Sequence, residues 1–378
     1  MRSSVALIAL VVSACVGERP ADPTKPQILW TFRISPAGPG RPRTFTRPAI
    51  GPDGTIYVGG SLEDKSNTAC LHAVSPAGES VKSMIGMRGD HRGAPSLWAV
   101  ARQDGSGAFA VDEAGGLYSL HLDGTDLFRE APKEAFTWLQ AGDPRFMGPI
   151  LAGSRGEVYA GGWGALHVLY IEGRGSPLSF SLRSPGQGKV IPGLGPSGKV
   201  LALDEFYIPI AGADSRGEPI GFALPAIEDG AGRSFGPSGA MYRINGVRLE
   251  NIYADSDWWY DIAEFATSPP RVAHRETIYF TTANALHAVG RDRSLKWKFR
   301  IDQGFEFEPL LTEDSVYVTD TSGMLIAVSP EGKEKWRLKL GPRCWTPAAS
   351  PGGTIYVSCE DGLLYAVAPP SVEPSGKP

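Results

Sequence analysis

The 378-residue sequence predicts an all-β fold: a single β-propeller of eight four-stranded blades, closed into a ring by its own two ends. Three observations predict it. A unit of about 40 residues recurs along nearly the whole chain. Each unit is punctuated by turn residues and built from β-branched and aromatic strands. The final unit lacks a fourth strand, which the opening of the repeat region can supply.

The composition agrees with many tight turns and few long helices, with 47 Gly and 32 Pro, 42% hydrophobic and 21% charged residues. The second strand of the unit is its clearest part: Thr55-Ile56-Tyr57-Val58, Glu157-Val158-Tyr159-Ala160, Thr277-Ile278-Tyr279-Phe280, Ser315-Val316-Tyr317-Val318 and Thr354-Ile355-Tyr356-Val357. Weaker copies fall at Ala108-Phe109, Val200-Leu201 and Met241-Tyr242. Apolar residues alternating with period two suit a strand packed between neighbouring sheets. Before this strand lies a turn such as Gly51-Pro52-Asp53-Gly54 or Gly236-Pro237-Ser238-Gly239, where proline presets one dihedral and glycine accepts positive φ. Prolines at 48, 192 and 347 mark unit starts, and the corresponding positions elsewhere are 95, 149, 233, 270 and 309.

The third strand carries a small residue between larger ones, as in Leu71-His72-Ala73-Val74, Leu286-His287-Ala288-Val289 and Leu364-Tyr365-Ala366-Val367. This suits sheets that converge toward an axis. The fourth strand carries an aromatic: Phe128, Phe180, Phe222, Trp297, Trp336, and either Trp258 or Trp259 in the irregular fifth unit. The opening Ile28-Leu29-Trp30-Thr31-Phe32-Arg33-Ile34 matches Leu295-Lys296-Trp297-Lys298-Phe299-Arg300-Ile301. That match makes the N-terminal strand the missing edge of the last blade, which removes two open sheet edges.

Residues 1–14 read as an export signal, with Arg2, an apolar run from Val5 to Val12, and small residues before Cys15. Val12-Ser13-Ala14-Cys15 resembles the bacterial lipobox, which makes Cys15 the lipidation site; an ordinary secretory signal with a chance cysteine is the other reading. Residues 15–27 form the lipidated cysteine and a proline-containing tether, residues 28–368 the propeller, and residues 369–378 a disordered tail. Val16, in place of Asp, directs a lipoprotein to the outer membrane, facing the periplasm or the cell surface. An exported chain permits disulfides, and Cys344 with Cys359 is the preferred pair, leaving Cys70 odd.

The order of turn, IYV, GxLxAV, turn and LWxF is similar to the PQQ-binding-like propeller repeats, over residues 28 to 368. Within that superfamily the chain resembles the propeller lipoproteins of the outer-membrane-protein assembly machinery, in lipobox, size and repeat type. The resemblance implies a scaffold that holds a partner. The PQQ-dependent alcohol dehydrogenases of the superfamily carry adjacent cysteines and a calcium site, and neither pattern occurs here, so no cofactor and no metal are expected.

His72, His167 and His287 share one repeated position that Tyr118 and Tyr365 also fill, which favours packing over catalysis. Asp255-Ser256-Asp257-Trp258-Trp259-Tyr260-Asp261 offers three carboxylates to calcium and three aromatics to a sugar, but lacks the glycine and closing glutamate of an EF-hand loop. A net charge of -4 without a basic run excludes a nucleic-acid surface.

The connections between blades are the remaining informative places: Ser80 to Ala94, Arg129 to Gly148 and Asp302 to Glu308. With neighbouring segments they hold Met84, Met87, Phe136, Trp138, Phe146, Phe305, Phe307 and Trp345, which either contact a partner or plug the channel and cover blade edges. The expected function is a membrane-anchored, monomeric binding scaffold of the bacterial envelope, contacting the membrane through its lipid alone and presenting loops to a protein or envelope polymer. A quinone-dependent oxidoreductase or hydrolase on the same scaffold, and a carbohydrate-binding or adhesion module, are the alternatives.

Overall fold

The computed structural model describes residues 22–34, 41–44, 47–63, 68–88, 97–102, 105–112, 117–122, 150–152, 157–161, 165–170, 179–183, 191–194, 200–203, 209–213, 233–235, 240–251, 258–273 and 275–371. Every regular element among them is a strand, and the strands form eight antiparallel sheets. The first strands are Ala49–Ile50, Leu97–Ala101, Leu151–Ala152, Ile191–Leu194, Arg233–Phe235, Arg271–Val272, Leu310–Leu311 and Ala348–Ala349. Each begins within two residues of an expected unit start, and the sheets are numbered blades 1 to 8 in that order.

First strands of successive blades touch: Ala348–Ala349 meets Ala49–Ile50, which meets Leu97–Ala101, which meets Leu151–Ala152, which meets Ile191–Leu194, and Arg233–Phe235 meets Arg271–Val272. They therefore surround the axis, and the fold is a β-propeller. The second and third strands are covered on both faces. Ile278, Phe280 and Val289 of blade 6 pack with Tyr242 and Leu249 of blade 5, whereas Tyr279, Leu286 and Ala288 pack with Val316, Val318 and Ile326 of blade 7. Period-two alternation thus sends successive side chains to opposite neighbours, and both sets are apolar because both sides are buried.

The two chain ends complete blade 8. Gln27–Arg33 runs antiparallel to Leu363–Ala368, with Thr31 opposite Tyr365 and Arg33 opposite Leu363. Ile34 N–H then donates to Gly362 O at 2.8 Å. The Ile34 side chain lies with Ile56, Val58, Cys70 and Val74 of blade 1 against Tyr356, Leu364 and Ala366 of blade 8, so the last blade packs directly on the first. Trp30 Nε1 donates to Pro76 O in blade 1 at 3.0 Å, and Trp297 Nε1 of blade 6 donates to Pro330 O in blade 7 at 2.7 Å. Each indole thereby fastens its fourth strand to the third-to-fourth turn of the next blade.

Antiparallel order gives the ring two unlike faces. The first-to-second and third-to-fourth turns lie on one, the turn face. The second-to-third turns and the connections between blades lie on the other, the connection face.

One expectation changes and three details are added. Ser80–Arg88, read as part of a connection, is the fourth strand of blade 1, so Met84 and Met87 are strand residues; the pairing third strand is extended to Thr68–Val74, and no aromatic marks its partner in the sequence. An extra strand, Arg41–Thr44, pairs with the far end of Ile56–Glu63. Of the two tryptophans in blade 5, Trp258 is buried against Tyr242 at 5.8 Å between ring centroids and Trp259 faces solvent. Outside residues 28–368, Ser371 N–H donates to Pro23 O at 3.0 Å and Asp22 caps a turn through Thr24.

Candidate functional site

The connection face of blades 6 to 8 gathers aromatic and charged groups from equivalent positions of successive repeats. Ala266, Phe305 and Cys344 precede their first strands and bridge Thr282, the last residue of its second strand, and Asp320 and Cys359, just past theirs. In blade 8 both partners are cysteines, and a disulfide joins them. Two residues past Phe305, Phe307 O accepts from Thr281 Oγ1, and one residue past Cys344, Trp345 O accepts from Thr319 Oγ1, each at 3.2 Å. These bonds tie a second strand to the connection entering the next blade, and they place Phe307 and Trp345 one blade apart.

The two rings meet at 4.5 Å between centroids. The Arg343 guanidinium lies over both, 5.5 Å from the Phe307 ring and 5.4 Å from the Trp345 ring. Arg343 pairs with Glu306, and with Glu360 at 3.3 Å. Its Nε is buried with no hydrogen-bond partner among the described residues. Both glutamates are exposed, and the rings and the guanidinium are half-buried. A planar cation lying over two mutually tilted rings and flanked by carboxylates presents π-faces, acceptors and apolar area on one surface, the chemistry from which protein contact anchors are made.

One residue beyond Phe307 the connection turns toward the axis. Glu308 Oε1 accepts from Arg271 of blade 6 at 2.7 Å and from Arg47, next to blade 1, at 3.3 Å. This carboxylate links three blades across the channel mouth, and its Oε2 has no hydrogen-bond partner among the described residues. Desolvation, then the neighbouring Arg271 charge, lowers the Arg47 pKa; the side chain keeps 41% of its surface open, so water enters the mouth and tempers the effect.

Beside it, Glu264 pairs with Lys298 at 2.6 Å and accepts from Thr282 Oγ1 at 2.9 Å. The Lys298 hydrogen bond, followed by that of Thr282, lowers the Glu264 pKa. His287 stacks on Phe280 at 4.8 Å, and burial, with the Lys298 charge adding to it, pushes its pKa down to about 4.

His72, at the position equivalent to His287, has a different task. Its Nε2 lies 2.8 Å from Ile34 O and its Nδ1 2.7 Å from Ser83 Oγ. A carbonyl only accepts, so Nε2 carries the proton and Nδ1 accepts from Ser83. The free Cys70 thiol faces the same carbonyl at 2.8 Å, and burial pushes its pKa up to about 12. Both side chains hold the crossover from blade 8 to blade 1.

Of the residues singled out from the sequence, Phe307 and Trp345 come together. Phe305 is 1% exposed, wedged between blades 6 and 7, and has no surface to offer a partner. Cys15, Phe136, Trp138, Phe146 and the carboxylates Asp255 and Asp257 lie outside the described residues, as do the side chains of Met84 and Met87. Arg343, Glu306, Glu360 and Glu308 were not singled out. No local pattern marks them: Arg-Cys-Trp ends two residues before Pro347 and Glu-Phe-Glu directly before Pro309, so the two do not share one frame.

No protein-family model matches the chain, and no curated protein matches it. Among solved structures it is similar to BamB from Moraxella catarrhalis, at 12% identity and a TM-score of 0.51, over 90% of this chain and 99% of that one. It is also similar to the Dos1 propeller, at 10% identity and a TM-score of 0.62, over 91% and 95% of the two chains. A streptogramin B lyase aligns at 10% identity and a TM-score of 0.50, over 90% and 97%. At these identities the likeness concerns the fold alone.

Proposed function

We propose that the protein is a lipid-anchored scaffold of the bacterial envelope that docks a protein partner on its connection face. The observation that carries this reading is the Phe307, Trp345 and Arg343 cluster held between Glu306 and Glu360. The lipobox-like Val12-Ser13-Ala14-Cys15 supports attachment, and the likeness to BamB is compatible with an outer-membrane setting. A lyase shares the fold equally well, so the site, not the architecture, supports the choice.

A photo-crosslinking residue at Glu306 tests docking in intact cells, with one at Glu331 on the turn face as comparison. The expected result is a discrete adduct from position 306, absent from 331 and lost when Trp345→Ala is added to a chain of unchanged melting temperature. Equal adducts from both faces, or adducts indifferent to Trp345→Ala, would overturn the reading. Attachment is read separately: Cys15→Ala moves the protein from the membrane to the soluble fraction, and the mass of the N-terminal peptide reports the acyl groups.

A further inference from the structure

The anchor and the aromatic cluster emerge on opposite faces of the ring. Gln27 pairs with Ala368 at the turn-face end of blade 8, whereas Arg33 pairs with Leu363 at the connection-face end. Upstream of Gln27 the chain stays bound to the turn face, since Pro23 O accepts from Ser371 N–H at 3.0 Å. The described chain begins at Asp22, one residue before this contact. Cys15 lies eight residues before Pro23 (23 − 15), a reach of at most about 28 Å when fully extended.

Apolar side chains are exposed on the rim where the chain leaves, beside the exposed Asp22, Lys25 and Glu79. Ile28 is 42% exposed and Leu29 52%, and Val81, on the neighbouring fourth strand of blade 1, is 47% exposed. Pro76 and Ala77, exposed in the turn that receives the Trp30 hydrogen bond, fill the space between the two strands. A strand of six residues is about 20 Å long, so placing the connection face on the membrane would stretch these eight residues across the full depth of the ring. Placing the turn face there costs almost no extension and covers the exposed apolar side chains of the rim.

We infer that the rim formed by Ile28, Leu29, Pro76, Ala77 and Val81 rests on the lipid bilayer surface, which directs the Phe307 and Trp345 cluster away from the membrane. The inference rests on the reading that Cys15 carries the anchor. The occupant of the rim is the bilayer, chosen because the described chain begins beside it, so that contact with the surface needs the least extension of the eight residues from Cys15.

The test is hydrogen exchange on the full mature chain, attached through Cys15 to a maleimide lipid in phosphatidylethanolamine and phosphatidylglycerol vesicles. This coupling examines orientation whether or not cells acylate Cys15, and the mass of the cellular N-terminal peptide examines acylation independently. Residues 26–33 and 75–82 should exchange several-fold more slowly on vesicles than in solution, with 303–308, 341–347 and 359–362 unchanged. Ile28→Asp with Leu29→Asp, two exposed positions, should abolish that protection while solution exchange elsewhere stays as in the parent chain. Slowing of the connection-face segments, or of neither set, would overturn the inference. Protection of 26–33 that grows with protein concentration without vesicles would assign the rim to a second copy and overturn it too.

Discussion

The Trp30 ring packs tilted against Tyr356 at 5.8 Å between centroids, although the two residues come from opposite ends of the chain. Tyr279 with Trp297 and Tyr317 with Trp336, each at 5.7 Å, repeat the arrangement within blades that are continuous in sequence. The N-terminal strand thus reproduces in blade 8 a packing that elsewhere needs no ring closure. Because Trp30 also binds Pro76 O in blade 1, one side chain joins both ends of the circle.

Trp30→Ala removes the ring packing and the hydrogen bond together and should cost about 2 kcal/mol or more, below the full range for a buried tryptophan because Trp30 is half-buried. Trp30→Phe keeps most of the ring packing and should cost about 1 kcal/mol, the worth of one hydrogen bond. Urea denaturation of the two variants checks the order; equal losses would mean that the ring packing carries nothing beyond the hydrogen bond.

Gly332 and Gly353 separate backbone strain from contact. Both have positive φ, +85° in each, but a Cβ on Gly332 would lie 2.6 Å from the Trp297 ring, and one on Gly353 meets nothing within 4 Å. Gly353→Ala should cost about 1 kcal/mol, the left-handed backbone term alone. Gly332→Ala should cost clearly more, since the staple must also open. Equal melting temperatures for the two variants would contradict the indole placement.

The cysteines predict a thiol count. In a Cys15→Ser chain, no thiol should react quickly with an aromatic disulfide reagent while the protein is folded, because Cys70 is buried with a raised pKa and Cys344 and Cys359 are bonded. One should react after unfolding without reductant, and three after reduction. Breaking the bond as Cys344→Ala with Cys359→Ala should cost about 3 kcal/mol, the loop-entropy value for a 15-residue separation.

Stability should fall on acidification. The His287 pKa drops from 6.5 to about 4 on folding, so the unfolded chain binds its proton first. The contribution is fully present above pH 6.5 and is lost as pH falls toward 4, amounting to on the order of 3 kcal/mol at most. His72, also shifted down by burial, acts in the same direction. Melting temperatures of the parent and His287→Phe between pH 7.5 and 4.5 check this: the variant should show the shallower slope.

Glu308→Ala leaves the Arg47 and Arg271 guanidinium groups without their shared carboxylate. The expected cost is about 1 to 3 kcal/mol, discounted for solvent at Arg47, and it should shrink as added salt screens the two cations. Urea midpoints at low and high salt decide. A salt-independent loss would point to packing in place of charge.

The blade starts were legible because each is marked locally, by proline, glycine and an alternating strand within a few residues. The fourth strand of blade 1 was not, since Ser80–Arg88 has no aromatic and its length depends on the extended partner Thr68–Val74. Trp258 and Trp259 differ only in which side of the strand packs on Tyr242, a matter of register that adjacent residues cannot reveal. Phe307 and Trp345 stood out as bulky connection residues, but Arg343 between them did not, because a lone arginine has no sequence signature. Glu308, Arg47 and Arg271 meet only after the ring has closed, so no local pattern announces them. Phe305 looked like Phe307 in sequence, and only the bridge to Asp320 turns it inward.

The joining of the two chain ends carries every statement above about faces, anchor and cluster. It is tested most directly by a paired-cysteine trap at Arg33 and Leu363, which face each other in blade 8. Arg33→Cys with Leu363→Cys should oxidise to an intramolecular disulfide in the folded protein, seen as a faster band on a non-reducing gel. The out-of-register pair Arg33→Cys with Ala368→Cys should not. Failure of the first pair to close in a chain that melts normally, or equal closure of both, would contradict a ring sealed by its N-terminal strand.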